Sequence, residues 1–230
     1  NQRCFDVHIG IQSINSSINY SNEKNTNPPN IANQDNSIPT SVAVMANSMP
    51  WDLLDQKKYD AAGNEFVYSR FRNRTNPYFV LAEQFHNISR DRMFGNIALK
   101  YQLTNWLFLQ GRVGQDFWSR DEDYNNFPTG QASLGPAPAG FVNGRYTQDA
   151  RRCREINKDF LLSGNKEFGN IGLDFSVGGN QMYRRSDLNS TQVVDFVVRD
   201  LYTIMNGRVK DPIYDLQERA VNSVYGSAEI

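Results

Sequence analysis

Asp121, Asp123 and Asn125 stand at alternate positions as a D-x-D-x-N string. Carboxylates and an amide at that spacing open the calcium loop of an EF-hand. A complete loop then needs glycine where Asn126 stands and glutamate where Ala132 stands. The string is therefore not an EF-hand. A looser cation site and a plain acidic, hydrated loop both stay open, and no metal centre is expected. The chain has only 2 histidines, His8 and His86, and no HExxH, CxxC, GxxxxGK[ST] or GxSxG string. Zinc hydrolysis, P-loop chemistry and α/β-hydrolase chemistry lack their usual signals. Asp and Glu total 25, and a glycosidase needs only two carboxylates at a fixed separation. Plentiful carboxylates are poor evidence for such a pair, so no catalytic residue is assigned. Binding is the better-supported chemistry. Trp118, Tyr124, Phe127, Phe141 and Tyr146 crowd one stretch, and flat aromatic faces suit sugar rings and peptide side chains. As a group they are the candidate ligand-facing surface. The plainer alternative for any one of them is packing of the stretch onto its neighbours.

The elements that must position these residues are strands. From Met93 to Leu103 the odd positions read Met, Gly, Ile, Leu, Tyr, Leu, while Asn96, Ala98, Lys100 and Gln102 fall between them. After Thr104 and Asn105 the pattern resumes. Leu107, Leu109, Gly111, Val113 and Phe117 take one face; Gln110, Arg112, Gly114 and Asp116 take the other. Side chains alternate across a strand, so each strand has one apolar and one wet face. Tyr101 and Trp106 flank the polar turn, where a membrane barrel places an aromatic girdle. No apolar run approaches the roughly 20 residues of a spanning helix. A barrel strand needs lipid-compatible residues at only every second position. The chain is therefore either soluble or a piece of β-barrel.

Elsewhere the pattern predicts short hairpins and long loops. Phe5, Val7, Ile9 and Ile11 alternate, the phase slips at Gln12–Ser13, and Ile14 to Tyr20 continues in the other phase. A tight turn or a bulge makes such a slip. Asn22 to Pro39 reads as an exposed loop. Ser41 to Leu54 holds one or two helical turns before Pro50. Asp60–Glu65 reads as a turn and Phe66–Tyr68 as a short strand. Ser119 to Ile156 reads as a second long loop. A hairpin runs from Asn157 to Lys166, turns at Glu167–Asn170 and returns through Ile171 to Val177. A third long polar region follows Gly178–Gly179, with Asp195–Met205 as a short helix or strand inside it. Arg219–Ile230 is a last strand. Long and short connections thus alternate, as they do in outer-membrane barrels.

The residues themselves carry a resemblance. NPYFVL (Asn76–Leu81), RDRMFGNIALKY (Arg90–Tyr101), a short turn and NWLFLQGRVGQDFWS (Asn105–Ser119) resemble the mid-barrel region of SusC/RagA-like TonB-dependent outer-membrane transporters. The resemblance continues through Asn157–Asn180 and returns at Val221–Ile230. It implies an all-β fold: an antiparallel segment of a transmembrane β-barrel with long extracellular loops and short periplasmic turns. The whole barrel would have about 22 strands around a plug, so residues 1–230 read as a partial barrel without plug or TonB box. It implies import of oligosaccharides or peptides across an outer membrane of Bacteroidetes type. It implies a SusD-like surface lipoprotein, contact with outer-membrane lipid, and TonB acting through parts outside these residues. Gly95, Gly111, Gly114 and Gly172 would leave room for inward-pointing neighbours or for the plug. No cofactor is implied.

A soluble all-β carbohydrate-binding module is the alternative, its apolar strand faces packed into a sandwich. The wet faces with Lys100, Arg112 and Asp174 favour the barrel. Net charge is -1, which argues against nucleic acid. The basic cluster Arg151, Arg152, Arg154 reads as a solvated loop end or a lumen-facing strand start rather than a phosphate site. Cys4 and Cys153 pair only if their Cα atoms come close, which spacing does not decide.

Overall fold

The computed structural model describes residues 10–30, 36–68, 75–132, 140–169 and 171–230. Among the described residues six strands form one sheet: β1 Gly10–Thr26, β2 His86–Thr104, β3 Leu107–Ala132, β4 Phe141–Phe168, β5 Ile171–Phe196 and β6 Gly207–Glu229. Each pairs antiparallel with the next in chain order, so β1 and β6 are the two edges and the sheet does not close. The fold is all-β, a segment of antiparallel barrel wall. In the described part of the β1–β2 connection lie three short helices, α1 Ile38–Val44, α2 Trp51–Gln56 and α3 Pro77–Glu83.

Register follows the sequence pattern. Ile97 pairs with Val113, Leu99 with Gly111 and Tyr101 with Leu109. Leu109 then pairs with Leu162, and Leu162 with Val177. These rungs make one apolar face near the short turns. The phase slip at Gln12 is a bulge, where the β1–β2 register shifts between Ile11 and Ser13. The turn between β2 and β3 is Asn105–Trp106, one residue later than the polar pair Thr104–Asn105. Around it Trp106 lies 6.3 Å from the Phe175 ring, and the Lys166 ammonium lies 4.8 Å from Trp106 and 5.1 Å from Phe168.

The structure corrects the long loops. Ser119–Ile156 is mostly strand: β3 has 26 residues and β4 has 28, and they continue to pair up to Ala132 and Phe141. The polar region after Gly178–Gly179 is the rest of β5, and β6 starts at Gly207 rather than Arg219. Asn22–Thr26 belongs to β1. Asp195 and Phe196 end β5, and the residues to Met205 are turns and bends, neither helix nor strand. The reason is that the upper strands are polar on both faces. Asp121, Glu122 and Asp123 face Ala150, Asp149 and Gln148, so no alternation marks them. At about 3.3 Å per residue β4 is roughly 90 Å long, while a crossing needs only about 9–11 residues.

The helices also differ from expectation. Pro50 precedes α2 rather than ending the helical region, and NPYFVL contributes α3, with Asn76 capping its first turn through the Tyr78 N–H at 3.0 Å. Phe66–Tyr68 is not a strand; Tyr59 and Glu65 make an isolated bridge. This connection covers the edge of β3 above the last β2 pair, His86–Tyr124. The Glu65 N–H donates to the Gly130 carbonyl at 2.9 Å, and the Ala132 N–H donates to the Glu65 carboxylate at 2.8 Å. The strand expectation for Phe5 to Ile9, His8 and Cys4 lie outside the described residues, and Cys153 is a buried free thiol.

Candidate functional site

The two faces of the sheet differ in chemistry. On the apolar face near the short turns, Ile14, Ile97, Val113 and Phe160 are 63%, 59%, 53% and 54% exposed. On the opposite face the side chains pair with one another. Arg112 Nε donates to Asp159 at 2.8 Å, and Asn180 donates to the same carboxylate at 2.5 Å. Arg92 grips Asp116 through Nε at 3.0 Å and a second nitrogen at 2.6 Å. Asn165 donates to Asp174, and the Ser176 and Ser227 hydroxyls are 2.7 Å apart. Bidentate and charge-assisted bonds of this kind hold side chains in fixed orientations.

Farther from the short turns this polar face becomes rich in arginine. Arg90 lies opposite Arg120, and Arg120 opposite Arg151, so one rung carries three guanidinium groups. The next rung carries Trp118, opposite Arg92, Cys153 and, across β4, Ser186. The rung below sets Arg184 between Glu155 on one side and Arg219 on the other. Like charges directly opposite destabilise a sheet. Some of this charge is neutralised. Arg90 lies 3.8 Å from Glu23, and Arg120 Nε lies 2.7 Å from Glu122, close enough for an ion pair but without hydrogen-bond alignment. The Arg90 guanidinium also sits 5.1 Å over the Trp118 ring. Arg151, Arg184 and Arg219 are exposed and have no ion-pair partner within 4.0 Å among the described residues. With Trp118, Ser186, Leu188 and Gln217 they line one depression, together with two acids, Asp215 and Glu218, the second of which pairs with Arg185 at 3.4 Å.

The five sequence-assigned aromatics do not form one surface. Trp118 and Tyr124 share the polar face. Tyr124 packs 5.1 Å from the His86 ring, with its hydroxyl 3.5 Å from Asp149. Phe127 follows a bulge and lies under the Arg145 guanidinium at 4.7 Å. Phe141 begins β4 and is 40% exposed. Tyr146 is 7% exposed and packs with Val193, Phe196, Phe85 and Tyr202. Asp121 and Asp123 lie along β3, and the Asn125 amide accepts from the Phe85 N–H at 2.6 Å and donates to the Glu83 carbonyl at 2.7 Å. Among the described residues no group of three or more potential ligands is placed to hold a metal. Of the four glycines read as leaving room, Gly95 sits tight on β1, where an added Cβ would meet the Ser17 carbonyl oxygen at 2.3 Å. Gly114 has ordinary contacts, and Gly111 and Gly172 face open space.

The arginine surface is what sequence reasoning missed. Once Arg151–Glu155 is known to be strand, alternation sends Arg151 to the polar face and Arg152 and Arg154 to the other. Without the register, Arg184 and Arg219 have no visible link to Arg151.

No family model and no curated protein sequence matches the chain. Solved structures do share its fold. The RagAB peptide importer in its open-open state, the RagAB peptide transporter, and the importer in its closed-closed state each superpose with a TM-score of 0.58 at 16% identity. Each likeness covers 74% of this chain and 18% to 19% of the other, so the chain spans under a fifth of those proteins. At that identity the likeness is one of fold.

Proposed function

We propose that the chain forms part of the wall of a SusC/RagA-like nutrient importer in an outer membrane. One observation carries this reading: the sheet has an exposed apolar face near the short turns, set against a face of ion pairs. The apolar face would meet lipid and the polar face the lumen. Trp106, Phe168 and Lys166 would mark the periplasmic interface, where aromatic rings and a snorkelling lysine sit between water and hydrocarbon. The strands then project well past the outer surface, so the long connections α1–α3 and 197–206 are extracellular. No enzyme activity is assigned. Substrates are oligosaccharides or peptides, with peptides favoured because the similar structures are peptide importers. The SusD-like lipoprotein would cap the outer mouth, and TonB would act through other parts of the protein.

The soluble carbohydrate-binding module needs the apolar face packed against a second sheet. Among the described residues there is one sheet, and the face remains exposed. Fractionation of the native polypeptide tests the choice. A product several times the 26.3 kDa of these residues, found in the outer membrane and soluble only with detergent, is expected. A detergent-free monomer of about that mass would sink the importer.

A further inference from the structure

We infer that the polar face carries a recognition site for acidic oligopeptides, built from Trp118, Arg151, Arg184 and Arg219. The inference rests on the importer reading and names its substrate class. Two features on this face oppose folding rather than favour it. Arg90, Arg120 and Arg151 stand side by side on one rung, and Arg184 faces Arg219 on another. Glu155 opposite Arg184 and Asp215 on the Arg151 rung offset part of this charge without coming within ion-pair distance of these arginines, and like charges across a rung repel. Their neighbours differ in pairing: Arg90, Arg92 and Arg120 reach carboxylates of their own chain, whereas Arg151, Arg184 and Arg219 reach none among the described residues. Planar guanidinium groups left unpaired in a depression are donors waiting for a carboxylate.

The spacing fits a peptide. Arg151 pairs with Leu188, four residues beyond Arg184 on β5. That separation is about 13 Å along the strand, the distance between side chains i and i+4 of an extended chain. Trp118 occupies the rung between, where side chain i+2 would lie on its ring. The site therefore selects an extended peptide with carboxylates four positions apart and an apolar residue midway. Position on the wall agrees. Trp118 and Arg120 follow Val113, the last aliphatic residue of the apolar face in β3, on the side away from the Asn105–Trp106 turn. The site thus lies towards the outer mouth, where substrate arrives.

The test uses the full-length importer in detergent and labelled pentapeptides blocked at both ends: EALAE, QALAQ and KALAK, with an oligogalacturonate of similar length. EALAE is expected to bind at least about tenfold more tightly than QALAQ, since each charge-assisted bond is worth about a tenfold step. This preference should weaken with salt and vanish in R151Q/R184Q/R219Q. R152Q/R154Q, with charge lost from the opposite face, should keep it. Equal binding of EALAE and QALAQ by the unaltered protein overturns the inference; it is the result expected if another domain's acidic face pairs with these arginines. An equal loss in R152Q/R154Q also overturns it, by showing a general field. Tighter binding of oligogalacturonate than of EALAE overturns the peptide assignment. Failure to bind any peptide overturns the inference together with peptide import.

Discussion

Gly144 shows how one residue holds the upper sheet together. Its φ is +85°, a backbone region that side chains disfavour, and an added Cβ would meet two Phe196 ring carbons at 2.5 Å. Phe196 is the floor of the cluster with Tyr146 and Val193. Gly144→Ala should cost about 1–2 kcal/mol in the backbone and a similar amount in overpacking. Faster hydrogen exchange at Tyr146 and Val193 would record it, and Gly140→Ala, where a Cβ meets nothing within 4 Å, should leave exchange unaltered. Tyr59 gives a pH signature. Burial, then its hydrogen bond to Glu83, pushes its phenol up to about 12 from 10.0. Between those values the folded chain holds a proton that the unfolded chain has lost, so stability falls as pH rises. The contribution is complete below pH 10 and disappears as pH passes through about 12. Protease resistance of the α1–α3 connection should follow that curve, and Tyr59→Phe should flatten it. Asp60 behaves oppositely. N–H donation from Asn64 holds its carboxyl below the usual range, with a smaller contribution from Ala62, so its contribution is present above the unfolded value and lost as pH falls through the folded one.

Elements are joined by few, well-buried bonds. The Glu65 carboxylate is 1% exposed and accepts from Asn76 at 2.9 Å and Ala132 at 2.8 Å, tying the start of α3 to the upper edge of β3. Glu65→Ala leaves both N–H groups buried without acceptors, each at about 1–3 kcal/mol. Amide exchange around Ala132 should rise by orders of magnitude, and by less in Glu65→Gln, whose carbonyl still accepts one bond. The faces of β5 make a second prediction. If the proposed importer wall is right, Val177→Arg in the bilayer-embedded protein should cost about 2–4 kcal/mol, whereas Ser176→Arg on the wet face should cost far less. Equal costs in a urea titration would remove the lipid-facing assignment. Legibility in the sequence tracks the same contrast of faces. Leu99 and Leu109 against Lys100 and Gln110 revealed the β2–β3 hairpin, because one face is apolar and the other wet. The bulge at Gln12 was legible as a phase slip. Upper β3 and β4 were not legible, because Asp121 to Asp123 and Gln148 to Ala150 give neither face a distinct chemistry. Pro77 to Leu81 reads as well for strand as for helix, and only the Asn76 cap and its packing make it α3. Trp118 could be named from its type alone. Arg184 and Arg219 needed the register, which no local pattern contains.

At the scale of the molecule, the apolar face and the strand ends drift together. Leu107 starts β3 opposite Gly164, yet β4 runs on through Phe168, so the β4–β5 turn lies farther out than the β2–β3 turn. The apolar face shifts in the same direction. The rung holding Met93 and Phe117 on β2 and β3 holds Arg154 and Arg185 on β4 and β5. A level hydrocarbon layer meets such a pattern only if the strands lean, which is the tilt of about 35–45° that barrel closure requires. This sheet has the stagger of a barrel wall without its closure. β1 and β6 therefore expose unpaired N–H and C=O groups beside apolar side chains, with Ile18 78% and Val224 85% exposed. Open edges invite strand addition, and in hydrocarbon each unpaired backbone group costs several kcal/mol. Residues 1–230 produced alone should therefore associate in detergent through β1 and β6. Cysteines placed at Asn15 and Ser223 should crosslink between chains, and light scattering should give a mass of at least a dimer. If the proposed importer wall is right, adding strands that pair with β1 and β6 should abolish both signals. A detergent-solubilised monomer without crosslinks would mean that the sheet covers its own edges, and the tilted-wall reading would then lose its need for further strands.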